Sequence, residues 1–152
     1  MGCQLAHSLI GGILSRVIHI EGAGKDRKRL TRETVLALRE LAQQREPNAV
    51  SRDLVAFIAI TLRQINQTVD ESVLAWEKRG YWIKADRYRL DWDWTLKISR
   101  DLRQALLIED WQKVTESSIE IATRLNTVKL PQRHTLGTPW VGAWEKLIAE
   151  ND

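Results

Sequence analysis

SRDLVAFIAITLRQINQTVDESVLAWEKR, residues 51–79, decides the fold. Its largely apolar row Val55, Ile58, Leu62, Ile65, Val69, Ser72 and Trp76 keeps a strict three-four spacing, so on a helix these residues form one continuous seam. A seam of that length is buried by another helix lying alongside at a shallow angle. Ser51 can cap the start and Asp53 suits the first turn, while Lys78 and Arg79 suit the negative end of the helix dipole. Gly80 can supply the left-handed residue that stops the helix. The spacing therefore predicts a helix over 51–79 and a break at Gly80, with a helix that continues through Gly80 as the alternative.

Working outward, residues 82–107 predict a helix with a charged stripe, Asp86, Arg89, Asp93, Lys97, Arg100 and Gln104. At 100° per residue, Ala85, Tyr88, Trp92, Leu96 and Leu106 lie on one flank of the stripe. Ile83, Leu90, Trp94, Ile98 and Ala105 lie on the other. Two apolar flanks need two sets of neighbours, one from the bundle and one from the same chain or a second copy. Trp111, Val114, Ser118, Ile121, Leu125 and Val128 repeat the seam and predict a helix over 109–128. An unbroken helix from 82 to 128 would be roughly 70 Å long, too long for one compact domain, so a turn is required near 107–109.

Upstream, Val35, Leu38, Leu41 and Ala42 make the buried face of a helix over 32–45, with Thr31 as its cap and an end before Pro47. Downstream, Thr138-Pro139 opens a short helix over 139–150 in which Trp140, Trp144 and Leu147 share a face. The expected fold is all-α, an up-and-down antiparallel bundle of four main helices with a short C-terminal helix packed across it. Residues 1–30 read as an apolar N-terminal segment and a basic linker, Gly22-Ala23-Gly24 leading into Lys25 to Arg29. Residues 31–152 read as the single bundle domain. Within the N-terminal part, only Leu14 to Glu21 could be extended chain.

Composition narrows the function. A chain of 152 residues that is 43% hydrophobic can bury a core without metal or disulfide support. Cys3 is its one cysteine, so an intrachain disulfide and a Cys-based zinc site are excluded and a reducing, cytoplasmic setting is expected. Met1-Gly2-Cys3 raises acylation, but Ala6 stands where myristoylation wants Ser or Thr. The apolar stretch from Leu5 to Ile20 is interrupted by His7, Ser8, Gly11, Gly12, Ser15, Arg16 and His19, too short and polar for a membrane span or a secretory signal. The net charge of +3 is spread along the chain, with no segment strongly polarised, so it argues little for nucleic acid.

Most catalytic chemistries fail on their residues. A ferritin-like di-metal site needs histidines on facing bundle helices, and His7, His19 and His134 lie on none of those predicted. Acidic clusters that hold magnesium on helices are approached only by Glu116 with Glu120 and by Asp70 with Glu71. A phosphate loop at Gly22 to Lys25 lacks its first glycine, replaced by His19, and has Asp26 where Ser or Thr must hold magnesium. No nucleophile elbow is present, and no cofactor is expected.

Three groups of residues remain as candidates. Trp82, Tyr88, Trp92, Trp94, Trp140 and Trp144 form a candidate interaction surface, since seven tryptophans against one phenylalanine are more indole than a slim bundle can bury. Asp86, Arg89 and Asp93 form a candidate polar site, with Arg87–Asp91, Arg89–Asp93 and Lys97 to Asp93 or Asp101 as ion pairs along one helix. Lys25, Arg27, Lys28 and Arg29 form a candidate basic patch. The leading expectation is a non-enzymatic bundle that acts through a protein partner or as a homo-oligomer. The alternatives are a metal-dependent hydrolase of phosphorylated small molecules, and weak binding of nucleic acid or an anionic surface by residues 16–32.

Overall fold

A computed structural model describes residues 20–150, and the expectations for residues 1–19 lie outside them. The helices are α1 (Ile20–Ala42), α2 (Ala49–Lys78), α3 (Trp82–Trp92), α4 (Trp94–Leu107), α5 (Trp111–Arg124) and α6 (Ala143–Ala149), and no strand occurs among the described residues. The fold is all-α, a helical bundle with a short C-terminal helix.

The quoted stretch forms the central helix, and it is buried more widely than a single seam. Every residue from Leu54 to Leu62 is buried, because α1, α4 and α6 all pack around α2. A helix apolar on all sides belongs in the middle of a bundle. Its cap is Asn48 rather than Ser51: the Asn48 side-chain oxygen accepts from the Ser51 amide at 2.9 Å. The expected break at Gly80 is there. Gly80 takes φ +82°, the Gly80 amide donates to the Glu77 carbonyl and the Tyr81 amide to the Trp76 carbonyl, which is a Schellman motif.

α1 starts at Ile20, so the expected linker at Gly22 to Arg29 is helix and the expected start at residue 32 is corrected. Glycines in a helix interior cost about 1 kcal/mol each relative to alanine, and packing against α2 overrides that preference. Ala23, Leu30, Thr31 and Thr34 are buried there, and the Thr34 and Thr61 hydroxyls share a hydrogen bond of 2.9 Å. Thr31 does not cap; its hydroxyl donates back to the Lys28 carbonyl at 2.9 Å. Of the stretch expected to be extended, Ile20 and Glu21 belong to this helix.

The helix expected over 82–107 is interrupted at Asp93, which divides it into α3 and α4. The Thr95 hydroxyl donates to the Trp92 carbonyl at 2.7 Å, the kind of local side-chain bond that disturbs a helical ladder. The turn after α4 is made without glycine: Glu109 adopts φ +56°, while the Asp110 amide reaches the Ala105 carbonyl at 2.8 Å. Asp110 then caps α5 by accepting from the Lys113 amide, so that helix begins at Trp111 and not at 109.

The last helix is shorter than the expected 139–150, beginning at Ala143 after a turn in which Gly142 has φ +80°. Asp53 of α2 receives its first turn, accepting from the Gly142 and Trp144 amides at 3.3 and 3.0 Å. At its other end Glu150 pairs with Arg63 of α2, and the Glu150 carbonyl accepts from Arg103 of α4.

The bundle has a thick end and a thin end. At the thick end α1, α2, α4, α5 and α6 share one large core. At the thin end Val69, Val73 and Ala85 form a small core, with Trp76, Tyr88 and Trp92 packed against it.

Candidate interaction surface

An aromatic ladder runs up the thin end. Trp76 of α2 meets Tyr88 of α3 edge-on at 4.8 Å, Tyr88 meets Trp92 at 6.3 Å, and Trp92 stacks on Trp94 of α4 at 6.3 Å. Cations lie over its rings: Lys84 at 4.5 Å from Trp76, Arg27 at 5.1 Å from Tyr88 and Arg124 at 5.7 Å from Trp94. Such contacts hold large rings in place where few aliphatic side chains are available. Burial pushes the pKa of the Tyr88 hydroxyl up, and the neighbouring Arg27 charge opposes that shift.

The candidate aromatic residues thus separate. Trp94 and Trp140 are buried in the large core, and Trp144 is half-buried with Arg52 over its ring at 5.3 Å. Tyr88 and Trp92 belong to the ladder. Only Trp82 stands out, 59% exposed at the start of α3. Ile83 at 71% and Leu90 at 70% are exposed on the same short helix, and Tyr81 and Leu74 are exposed nearby in sequence. Ile83 and Leu90 belong to the flank whose continuation in α4, Trp94, Ile98 and Ala105, is buried.

Of the candidate polar residues, Arg89 holds two elements together. It ties α3 to α2 through Glu77 at 2.9 Å and also reaches Asp86 at 3.4 Å, in place of the expected pair with Asp93. Asp93 itself is exposed at the interruption between α3 and α4. The basic residues are dispersed around α1. Arg27 points inward, its Nη1 donating to the Thr68 carbonyl, the Thr68 hydroxyl and the Ser72 hydroxyl at 3.2 to 3.3 Å. Arg29 pairs with Asp26 and Glu33, while Lys25 and Lys28 are exposed. Arg16 lies outside the described residues.

Among the described residues no group of three or more His, Cys, Asp or Glu side chains is placed to hold a metal ion. Glu120 pairs with Arg124 and Glu116 accepts from Gln112, so the acidic residues of α5 face solvent partners on their own helix. No helix among the described residues is long and apolar enough to cross a membrane.

At the thick end, the C-terminal half of α1 and the helix α5 stand apart and leave an open apolar groove of about 470 Å³. Leu38, Leu41, Trp111, Val114, Ile119 and Ala122 line it. Exposed Ile119 on an otherwise polar side of α5 is the one sequence-level sign of it. Compared with protein-family models, with curated proteins and with solved structures, the chain matches none.

Proposed function

We propose that this chain is a non-enzymatic helical bundle that works through protein contacts made by the outer flank of α3, in the simplest case with the α3 of a second copy. The observation that carries the reading is the exposure of Ile83 and Leu90, 71% and 70%, on a flank that is core material along α4. Large apolar side chains set together beside an exposed tryptophan are the residues that dominate binding when desolvated. An antiparallel α3–α3 contact about a two-fold axis would bring each Ile83 near the partner copy's α3 and close the assembly. A reducing, cytoplasmic setting is part of this reading, on the ground of one cysteine in the chain.

Sedimentation equilibrium up to hundreds of micromolar, on the wild type and on Ile83→Glu with Leu90→Glu, tests it. The wild type should self-associate and the double variant should stay monomeric, with a stability within about 0.5 kcal/mol of the wild type because both sites are exposed. A wild type that remains monomeric throughout, or a double variant that associates equally well, would remove the reading.

A further inference from the structure

Two of the exposed apolar surfaces have matching dimensions. One is the ridge of α3, where Ile83, Arg87 and Leu90 face outward along about 16 Å of helix. The other is the groove at the thick end, whose α5 wall from Trp111 to Ala122 is also about 16 Å long. The hydroxyls in the groove are already spent. Thr115 and Ser118 donate to the Trp111 and Val114 carbonyls of their own helix, and the Ser51 hydroxyl is taken by Asn48 and the Glu46 carbonyl. The groove therefore suits the apolar face of a helix better than a small polar molecule.

The charges along the two surfaces are complementary. Arg45 lines the α1 side of the groove together with one carboxylate, Glu46, and Arg39, which also donates to the Leu130 carbonyl, edges the same side. Glu116, next to Thr115, edges the α5 side. On α3, with Ile83 and Leu90 at the middle of the outer face, Asp86 and the following Asp93 lie along one edge, and Arg87, Lys84 and Asp91 along the other. Arg45, Arg87 and Asp93 have no hydrogen bond or ion pair from their side chains among the described residues. α1 and α5 run antiparallel, as the Thr34–Thr61, Ser99–Ala59 and Arg124–Trp94 contacts require. Right-handed helices then fix the direction: α3 set into the groove parallel to α1 puts Asp86 and Asp93 on the α1 side and Arg87 on the α5 side, and the reverse direction exchanges them. With Asp93 at Arg45, Asp86 and Arg87 lie about 10 Å and about 9 Å further in, against about 9 Å for Arg39 and about 8 Å for Glu116. Three pairs form in one register, and Asp91 falls opposite neutral Gln112. A two-fold pair of α3 helices lacks this match, because each edge meets itself and Arg87 lies against Arg87.

We propose that the groove of one copy receives the outer ridge of α3 from a second copy, parallel to α1, with Arg45–Asp93, Arg39–Asp86 and Glu116–Arg87 pairing across the contact. The inference rests on the proposed function for the α3 face and names the groove, in place of a second α3, as its receiver. Within one copy α1 and α3 both run from the thin end toward the thick end, so docked copies point the same way and are displaced along their length. Such a contact is heterologous. It leaves a groove free on one copy and an α3 free on the other, so it repeats beyond the dimer.

Full-chain variants that each lose one half of the contact test it by sedimentation. Ile83→Glu with Leu90→Glu removes the ridge, and Ile119→Glu with Ala122→Glu removes the groove; all four side chains are exposed, so circular dichroism should show the fold kept. Each variant alone should be monomeric where the wild type exceeds the dimer mass, and a mixture of the two should form one-to-one dimers. Association of the groove variant at the wild-type level overturns this proposal and leaves the α3 contact standing, as a two-fold α3 pair requires. A mixture of folded variants that stays monomeric also overturns it. A wild type that is monomeric throughout overturns both this proposal and the reading it rests on. The register is read from Arg45→Glu and Asp93→Lys, which should each weaken association about tenfold and together restore it to within about threefold of the wild type. A combined variant no better than either single one overturns the pairing.

Discussion

α3 and α4 share one charged stripe and one pair of apolar flanks, yet only α4 has both flanks covered. Ile98 is 1% exposed and Ile83 71%, although both belong to the same flank. The difference lies outside the two helices, in the length of α5, which runs beside α4 and ends at Trp94. Whether an apolar flank becomes core or surface is therefore decided by where a neighbouring helix stops, which the flank's own residues do not encode.

The largest test of this contrast is truncation at the covered position. Ile98→Ala should cost about 2–5 kcal/mol in denaturant unfolding, since it leaves a cavity, whereas Ile83→Ala should stay within about 0.5 kcal/mol. Similar losses at both sites would mean that α3 is covered after all. A smaller effect is expected from Arg27, the side chain that fastens α1 to both α2 and α3 at the thin end. Arg27→Ala should cost about 1–2 kcal/mol, and Arg27→Lys should restore only part of it, because lysine lacks the planar group that lies over Tyr88. Amide exchange should show that loss as faster opening of α3 with α4 little changed.

The two turns that bound α3 and α4 give the finest comparison, with opposite signs. Gly80 and Glu109 occupy equivalent left-handed positions, one with glycine and one without. Gly80→Ala should destabilise by about 1 kcal/mol, and Glu109→Gly should stabilise by about 0.5–1 kcal/mol, both read as shifts in denaturation midpoint. The exposed Arg52–Glu109 pair lost in the second variant is too weak to reverse its sign.

The legible parts of the fold are those fixed by periodicity. The seam from Val55 to Trp76 announces α2, Gly80 its end, and the two-flanked wheel after it announces the question that the structure answers in halves. What periodicity does not carry is distance. The start of α1 is hidden because Gly22, Gly24 and the charges after them look like a linker, while the bonds that hold them helical reach 41 and 45 residues away. The turn at Glu109 lacks a glycine to mark it, and the Asp53 contacts to the first turn of α6 span 89 and 91 residues. The sequence offers six aromatic residues as a candidate surface, of which Trp82 is exposed and Trp94 buried. It does not separate Trp82 from Trp94, because their difference is the presence of α5.

Amide hydrogen exchange of α3 and α4, followed in the same sample at micromolar and at hundreds of micromolar protein, tests the central claim most directly. Exchange in α4 should be the same at both concentrations, because its flanks are covered within the chain. Exchange in α3 should slow as the concentration rises and a second copy takes the exposed flank. Exchange in α3 that is independent of concentration would contradict the account.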